Sequence, residues 1–276
     1  MRYRTGAVTF DQQLHGGLPA GLIEISGEDS SGKTALALSV AREAGLTGLP
    51  CALVHMQGGP PDTDFLRSAG ISNLAVSTPP YGEAAIEMAY TCLSRGFRVV
   101  IIDSFSNVRP RCEDDLMVGD RSPGGNRLAH HGAKMLREVA QRTDSVAILL
   151  SEVRANLNGF GLISAYESVL RGTADFRVRL RRIETHAEYG TVRDVTVRMS
   201  VLSSTTFSAG VEGEVRLRGS RGVYRNMELL LALVRADLLR PVGAYWRGLS
   251  GMFGPGYERA ARQVGQRYEQ YREELV

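Results

Sequence analysis

The chain has 276 residues, 43% of them hydrophobic and 23% charged, and a net charge of +3. That is enough apolar material for one sizeable core with a small appendage, and the charge is too mild to imply nucleic acid by itself. No run approaches the roughly eighteen apolar residues of a membrane span, and the opening MRYRTGAVTF lacks the apolar core of a secretory signal, so a cytoplasmic location is expected.

Lys33 and Lys134 are the only lysines. A nucleic-acid ligand and a GC-rich genome would each produce such an arginine bias. Cys51, Cys92 and Cys112 form no CxxC pair and are not spaced with histidine as zinc ligands are. Cys51 opens an apolar run and Cys92 falls in a helical pattern, so both read as small packed hydrophobes.

In chain order, residues 22–26 form a buried strand, followed by a glycine-rich loop and a helix from about 33 to 43. A second strand covers 51–56 and a helix 84–94. The β-branched run RVVIID at 98–103 ends in an acid, and a helix at 128–142 precedes another buried strand at 146–151. Alternation of this kind predicts an α/β fold, a mostly parallel twisted sheet with helices on both faces. After Ala174 the pattern changes. Segments 176–183, 192–202 and 214–218 alternate apolar and polar residues as half-exposed antiparallel strands do, an antiparallel extension of the sheet. From Met227 onward the reading is helical, with 248–256 separating two pieces. The second carries Tyr257, Ala261, Val264, Tyr268, Tyr271 and Leu275 as one stripe. The expected division is a core over 1–222 and a small α-rich C-terminal domain over 223–276.

The loop Gly27-Glu28-Asp29-Ser30-Ser31-Gly32-Lys33-Thr34 matches GxxxxGKT in full. Glycines let successive backbone N–H groups turn towards phosphates, and the helix beginning at Lys33 adds its positive end. Lys33 is expected on the β- and γ-phosphates and the Thr34 hydroxyl on Mg2+, with ATP as the nucleotide. Asp103, at the carboxyl end of its strand, is the partner expected for the metal through water; Asp is also favoured there simply as a turn residue.

With these residues placed, the chain resembles the bacterial RecA family. FDQQLHGGLPAGLIEISGEDSSGKTALAL is similar to that family's lead-in and phosphate loop, and VVIIDSFSNVRP to its metal-binding strand. VGDRSPGGNRLAHHGAKMLRE resembles the first DNA-binding loop and the helix after it, and LLSEVRANLNGFG the strand leading into the second. FRVRLRRIE and LVRADLLRPVGAYWRG match later strands and the start of the C-terminal domain. The resemblance implies a RecA-like P-loop NTPase core acting in DNA repair or recombination, and it puts Phe65 among the nucleotide-binding residues.

Departures from the family pattern bear on turnover and assembly. The chain begins almost at the core, so the amino-terminal polymerisation arm of the family is expected to be missing. Gln57 falls where the family has the glutamate that activates water, and an amide cannot accept the proton, a loss of roughly a hundredfold or more. Ser200 and Leu202 fall where two lysines reach a neighbour's ATP. Glu152 takes the place of the glutamine that senses the γ-phosphate, where an anion would repel that phosphate or ligate the metal. Glu28 stands where the family has proline. Together these imply ATP binding with weak or absent hydrolysis.

For DNA, Arg109, Arg111, Arg121 and Arg127 surround the first loop and Arg154 and Arg171 flank the second, placed to meet phosphates; Phe160 or Tyr166 would stack on a base. Arg177, Arg179, Arg181 and Arg182 alternate along a strand and read equally as a solvated face. The implied role is that of a paralogue that caps or modulates RecA filaments, with single-stranded DNA and a mutagenic polymerase of the SOS response (as for ImuA-type proteins) as further partners. The alternative is an active ATP-dependent single-strand recombinase, with filament formation as the discriminating observation.

Overall fold

The computed structural model describes residues 1–57, 59, 61–71, 73–113, 124–155, 161–188, 191–207, 209–248 and 251–266. A short pair, β1 (Arg2–Tyr3) and β2 (Leu18–Pro19), brackets α1 (Val8–Gln13). Then β3 (Gly21–Gly27) leads through the glycine-rich loop into α2 (Lys33–Leu46), followed by β4 (Cys51–His55), α3 (Thr63–Ser68), β5 (Leu74–Ser77) and α4 (Gly82–Ser94). Next come β6 (Val99–Asp103), α5 (Gly125–Arg142), β7 (Val146–Ala155), β8 (Leu162–Ser164) and α6 (Glu167–Thr173). The long antiparallel strands β9 (Phe176–Glu188) and β10 (Thr191–Ser204) precede β11 (Glu212–Leu217).

Eight strands lie in the order β11-β10-β9-β3-β7-β6-β4-β5, with β8 hairpinned onto β7. The pairs from β9 through β3, β7, β6 and β4 to β5 are parallel; β9–β10, β10–β11 and β7–β8 are antiparallel. Every residue of β3 and β6 is buried, as parallel strands covered on both faces must be. Ile23 and Ile25 face the cluster built with α1 and α2, while Leu22 faces the one built with α4, α5 and α6. Cys51 packs in the first cluster, where burial pushes its thiol up to about 12.

The C-terminal part departs from the helical expectation. After α7 (Arg225–Arg235) come three short antiparallel strands, β12 (Leu239–Val242), β13 (Tyr245–Gly248) and β14 (Gly251–Phe253), and only then α8 (Tyr257–Gln266). Leu239, Trp246 and Phe253 turn one face of this small sheet onto α7 and onto Ala260, Ala261 and Val264 of α8, closing a third apolar cluster. Tyr268, Tyr271 and Leu275 of the expected stripe lie outside the described residues.

Candidate functional site

The P-loop joins β3 to α2, at the carboxyl end of the central parallel strand. Gly32 caps α2 with φ +91°, a conformation few side chains adopt, and a Cβ there would stand 2.2 Å from Leu217 Cδ1. Gly27 is equally constrained, since a Cβ would lie 2.4 Å from Ser31 Oγ and 2.8 Å from the Leu180 carbonyl. The Ser31 hydroxyl is buried with no hydrogen-bond partner among the described residues, a free donor in the cradle. Lys33 Nζ donates to the carbonyls of Gly27 (2.9 Å) and Glu28 (2.8 Å), folding the ammonium over its own loop. Burial lowers its pKa, opposed by Glu152, Asp29 and Asp103 in that order.

A cavity of about 520 Å³ opens on this loop. Lys33, Thr34, Gln57, Ser104 and Glu152 line it, together with Phe65 and with Asp194, Leu217 and Gly219 from the β10–β11 side. That wall was not foreseen. Asp194 is buried and held by the guanidinium groups of Arg216 and Arg218, with Arg218 stacked 3.6 Å over Tyr224. The pairing depends on the register between the neighbouring strands β10 and β11, and no local pattern signals it.

Asp103 ends β6 against Thr34. Thr34 Oγ1 donates to its Oδ2 at 2.7 Å, and Gln57 Nε2 donates to its Oδ1 at 2.5 Å. Burial raises the Asp103 pKa, opposed by these two hydrogen bonds and by His55 and Lys33. Among the described residues no group of three or more His, Cys, Asp and Glu gathers to hold a metal ion alone. A hydroxyl beside one carboxylate suits a hydrated divalent cation whose remaining ligands come from a nucleotide's phosphates.

The arginines expected on the DNA face are exposed: Arg109 and Arg111 after β6, Arg127 in the first turn of α5, Arg154 near the end of β7 and Arg171 in the last turn of α6. Arg111 is partly committed, its N–H donating to Glu83 and its guanidinium lying 5.5 Å from the Tyr81 ring centroid. Arg121 and Phe160 lie outside the described residues. Tyr166 is not free to stack on a base. Its hydroxyl donates to the Val108 carbonyl at 2.8 Å and its ring lies edge-on against Phe105, tying the start of α6 to the segment after β6. Nor is the β9 arginine row a solvated face throughout, because Arg177 is 3% exposed, locked between Glu24 and Glu167. Arg181 and Arg182 are exposed as expected.

The sequence has relatives among known proteins. The RecA N-terminal domain family matches residues 2–218. The chain is 30% identical to the RecA protein of Brucella anthropi, covering 98% of this chain and 77% of that one. It is 30% identical to the RecA protein of Rhizobium rhizogenes, covering 93% and 73%. With the RecA protein of the Wolbachia from Brugia malayi the identity is 27%, covering 92% and 74%.

Proposed function

The chain belongs to the RecA family, and from that premise we propose that it binds ATP with magnesium and serves in DNA repair or recombination as a modulator of RecA filaments, turning ATP over weakly. In this reading Gly27 to Thr34 hold the phosphates, Phe65 packs on the nucleoside side, and Thr34 with Asp103 hold the hydrated metal, which supplies charge neutralisation at the phosphates.

One observation carries the reading. The phosphate cradle and the Thr34–Asp103 pair are complete, while the group at Asp103 where a base would act is the amide of Gln57, already donating to that carboxylate. The surface assigned to a neighbour's nucleotide is likewise changed, since Ser200 donates to Glu212 and Arg198 pairs with Glu214 across β10 and β11. Those pairs commit Ser200 and Arg198 within the chain, and no lysine stands at 200 or 202 to reach a neighbour's phosphates. The exposed arginines from Arg109 to Arg171 are the phosphate-contacting set for single-stranded DNA.

The test is filament extension by RecA on single-stranded DNA, followed by light scattering, with this chain added below stoichiometry. A modulator slows extension and RecA turnover at ratios well under one per RecA. Inhibition only at DNA-saturating concentrations would mean competition for DNA, and no inhibition at any ratio would overturn the role. A second reading, an active single-strand recombinase, is favoured by Glu152, a carboxylate lining the cavity whose ion-pair partner Arg154 stands 3.8 Å away.

A further inference from the structure

Gln57 leaves the phosphate end of the cavity without its expected base, so every carboxylate there bears on how water would be activated. The described lining contains three: Asp29, Glu152 and Asp194. Asp194 is saturated by Arg216 and Arg218. Asp29 sits exposed on the P-loop. Asp103, just beneath, is engaged by Thr34 and Gln57.

Glu152 differs from all of these. It lies on β7 in register with Gly27, the first residue of the P-loop. Its backbone is pinned on both sides: its N–H donates to Ser106 Oγ at 2.8 Å, and its carbonyl accepts from Ala165 N–H at 3.0 Å. Its carboxylate keeps only a loose cation, Arg154 at 3.8 Å, and is one-third exposed at 34%. It lines the same cavity as Lys33, the ammonium expected at the γ-phosphate, and of the acids that oppose the fall in the Lys33 pKa it acts most strongly. A pinned backbone that brings a carboxylate, held only by one long ion pair, to the lining shared with the P-loop is the arrangement a general base requires.

We propose that Glu152 is the general base for whatever ATP hydrolysis this chain performs, replacing the carboxylate absent at Gln57. The proposal rests on the nucleotide reading above. In the step, the oxygen of a water forms a bond to the γ-phosphorus while the Glu152 carboxylate takes its proton. The bond from the γ-phosphorus to the β–γ bridging oxygen breaks, and its electron pair stays on ADP beside Lys33. The proton then passes from Glu152 to solvent.

The experiment measures phosphate release from ATP and magnesium across pH, alongside binding of a fluorescent ATP analogue, for wild type, Glu152→Gln and Glu152→Asp. Glu152→Gln is expected to lower kcat about a hundredfold and to abolish the acid limb of the pH profile. Affinity for the analogue should stay within about threefold, since the isosteric amide removes a proton acceptor and leaves the pinned backbone in place. Glu152→Asp, keeping the carboxylate on a shorter arm, should fall between the two. Turnover by Glu152→Gln equal to or faster than wild type would overturn the assignment, the faster case marking Glu152 as a repelling anion. Equal loss of rate and affinity would mark a binding role and also overturn it, as would a wild type that binds the analogue but releases no phosphate. A wild type that does not bind the analogue would remove the nucleotide reading itself.

Discussion

Replacing Arg177 by methionine tests how firmly the base of the P-loop strand is anchored. Arg177 Nε donates to Glu24 Oε2 and its terminal nitrogen to Glu167 Oε1 at 2.7 Å, while Glu167 also accepts from Ser164. Glu24 lies on β3, three positions ahead of Gly27, with its side chain 0% exposed and its Oε1 already without a partner. Removing the guanidinium leaves Glu24 as a buried carboxylate with nothing to compensate it. Breaking a buried pair from one side costs about 3–5 kcal/mol. Glu167, 29% exposed and still bonded to Ser164, adds little, so about 3–4 kcal/mol is expected, almost all from Glu24. For a chain of this length that lowers Tm by roughly 10 °C. The assay is thermal unfolding of Arg177→Met, Glu24→Leu and the double variant. Because an apolar replacement of a whole buried pair is often neutral, the double variant should return to within about 1 kcal/mol of wild type. A single-variant loss below about 1 kcal/mol, or strictly additive losses, would refute the account.

Further expectations concern binding, turnover, pH and DNA. Lys33→Ala should abolish binding of an ATP analogue by titration, because the nucleotide reading assigns to the phosphates the ammonium that now meets the loop carbonyls. Gln57→Glu places a second carboxylate against Asp103, where the amide now donates; like charges that close disfavour ionisation of both, so phosphate release should not rise, and a gain of about tenfold would show that position 57 still serves as the base site. Glu228 is held up at about 8 by burial, against the Arg216 N–H and Arg235, with nearby Asp11 raising it further and itself raised to about 7 by burial, against hydrogen bonds from Thr5 and Gly6, with Glu43 adding to the rise. A carboxyl whose folded value is raised contributes stability fully present below its ordinary value and lost as pH rises through the folded one, so Tm should fall from mildly acidic to alkaline pH, and Glu228→Gln should flatten that fall. Arg127→Ala and Arg154→Ala should each lower the salt slope of single-stranded DNA affinity by about one, read from binding isotherms over a salt series; unchanged slopes would remove them from the phosphate-contacting set.

The central sheet is legible in the sequence because fully buried strands announce themselves as β-branched runs, as VVIID and VAILLS do. The P-loop is legible because its spacing follows from phosphate geometry, and Asp103 because an acid at the end of such a run falls at the ligand edge of the sheet. The strands β12 to β14 were not, since three or four residues show too little alternation to separate from a helix, and only Leu239, Trp246 and Phe253 face inward. Arg177 misread for a different reason. Its partner Glu24 is 153 positions away, and the alternating row FRVRLRR carries no sign that its first arginine enters the core. Tyr166 looked available because an aromatic after a loop looks exposed until the Val108 carbonyl is seen to hold it.

The cross-strand register of β10 and β11 has an engineering consequence. Ser200 stands opposite Glu212 and Arg198 opposite Glu214, so these two pairs are satisfied within a single chain. A lysine grafted at 200 to reach outward would find the Glu212 carboxylate beside it first, and its charge would be spent internally before another molecule met it. Reawakening this face for contact in trans therefore demands paired substitutions, cation gained and facing acid removed together. A lineage changing one residue at a time would cross a stage in which the new lysine serves only its own fold.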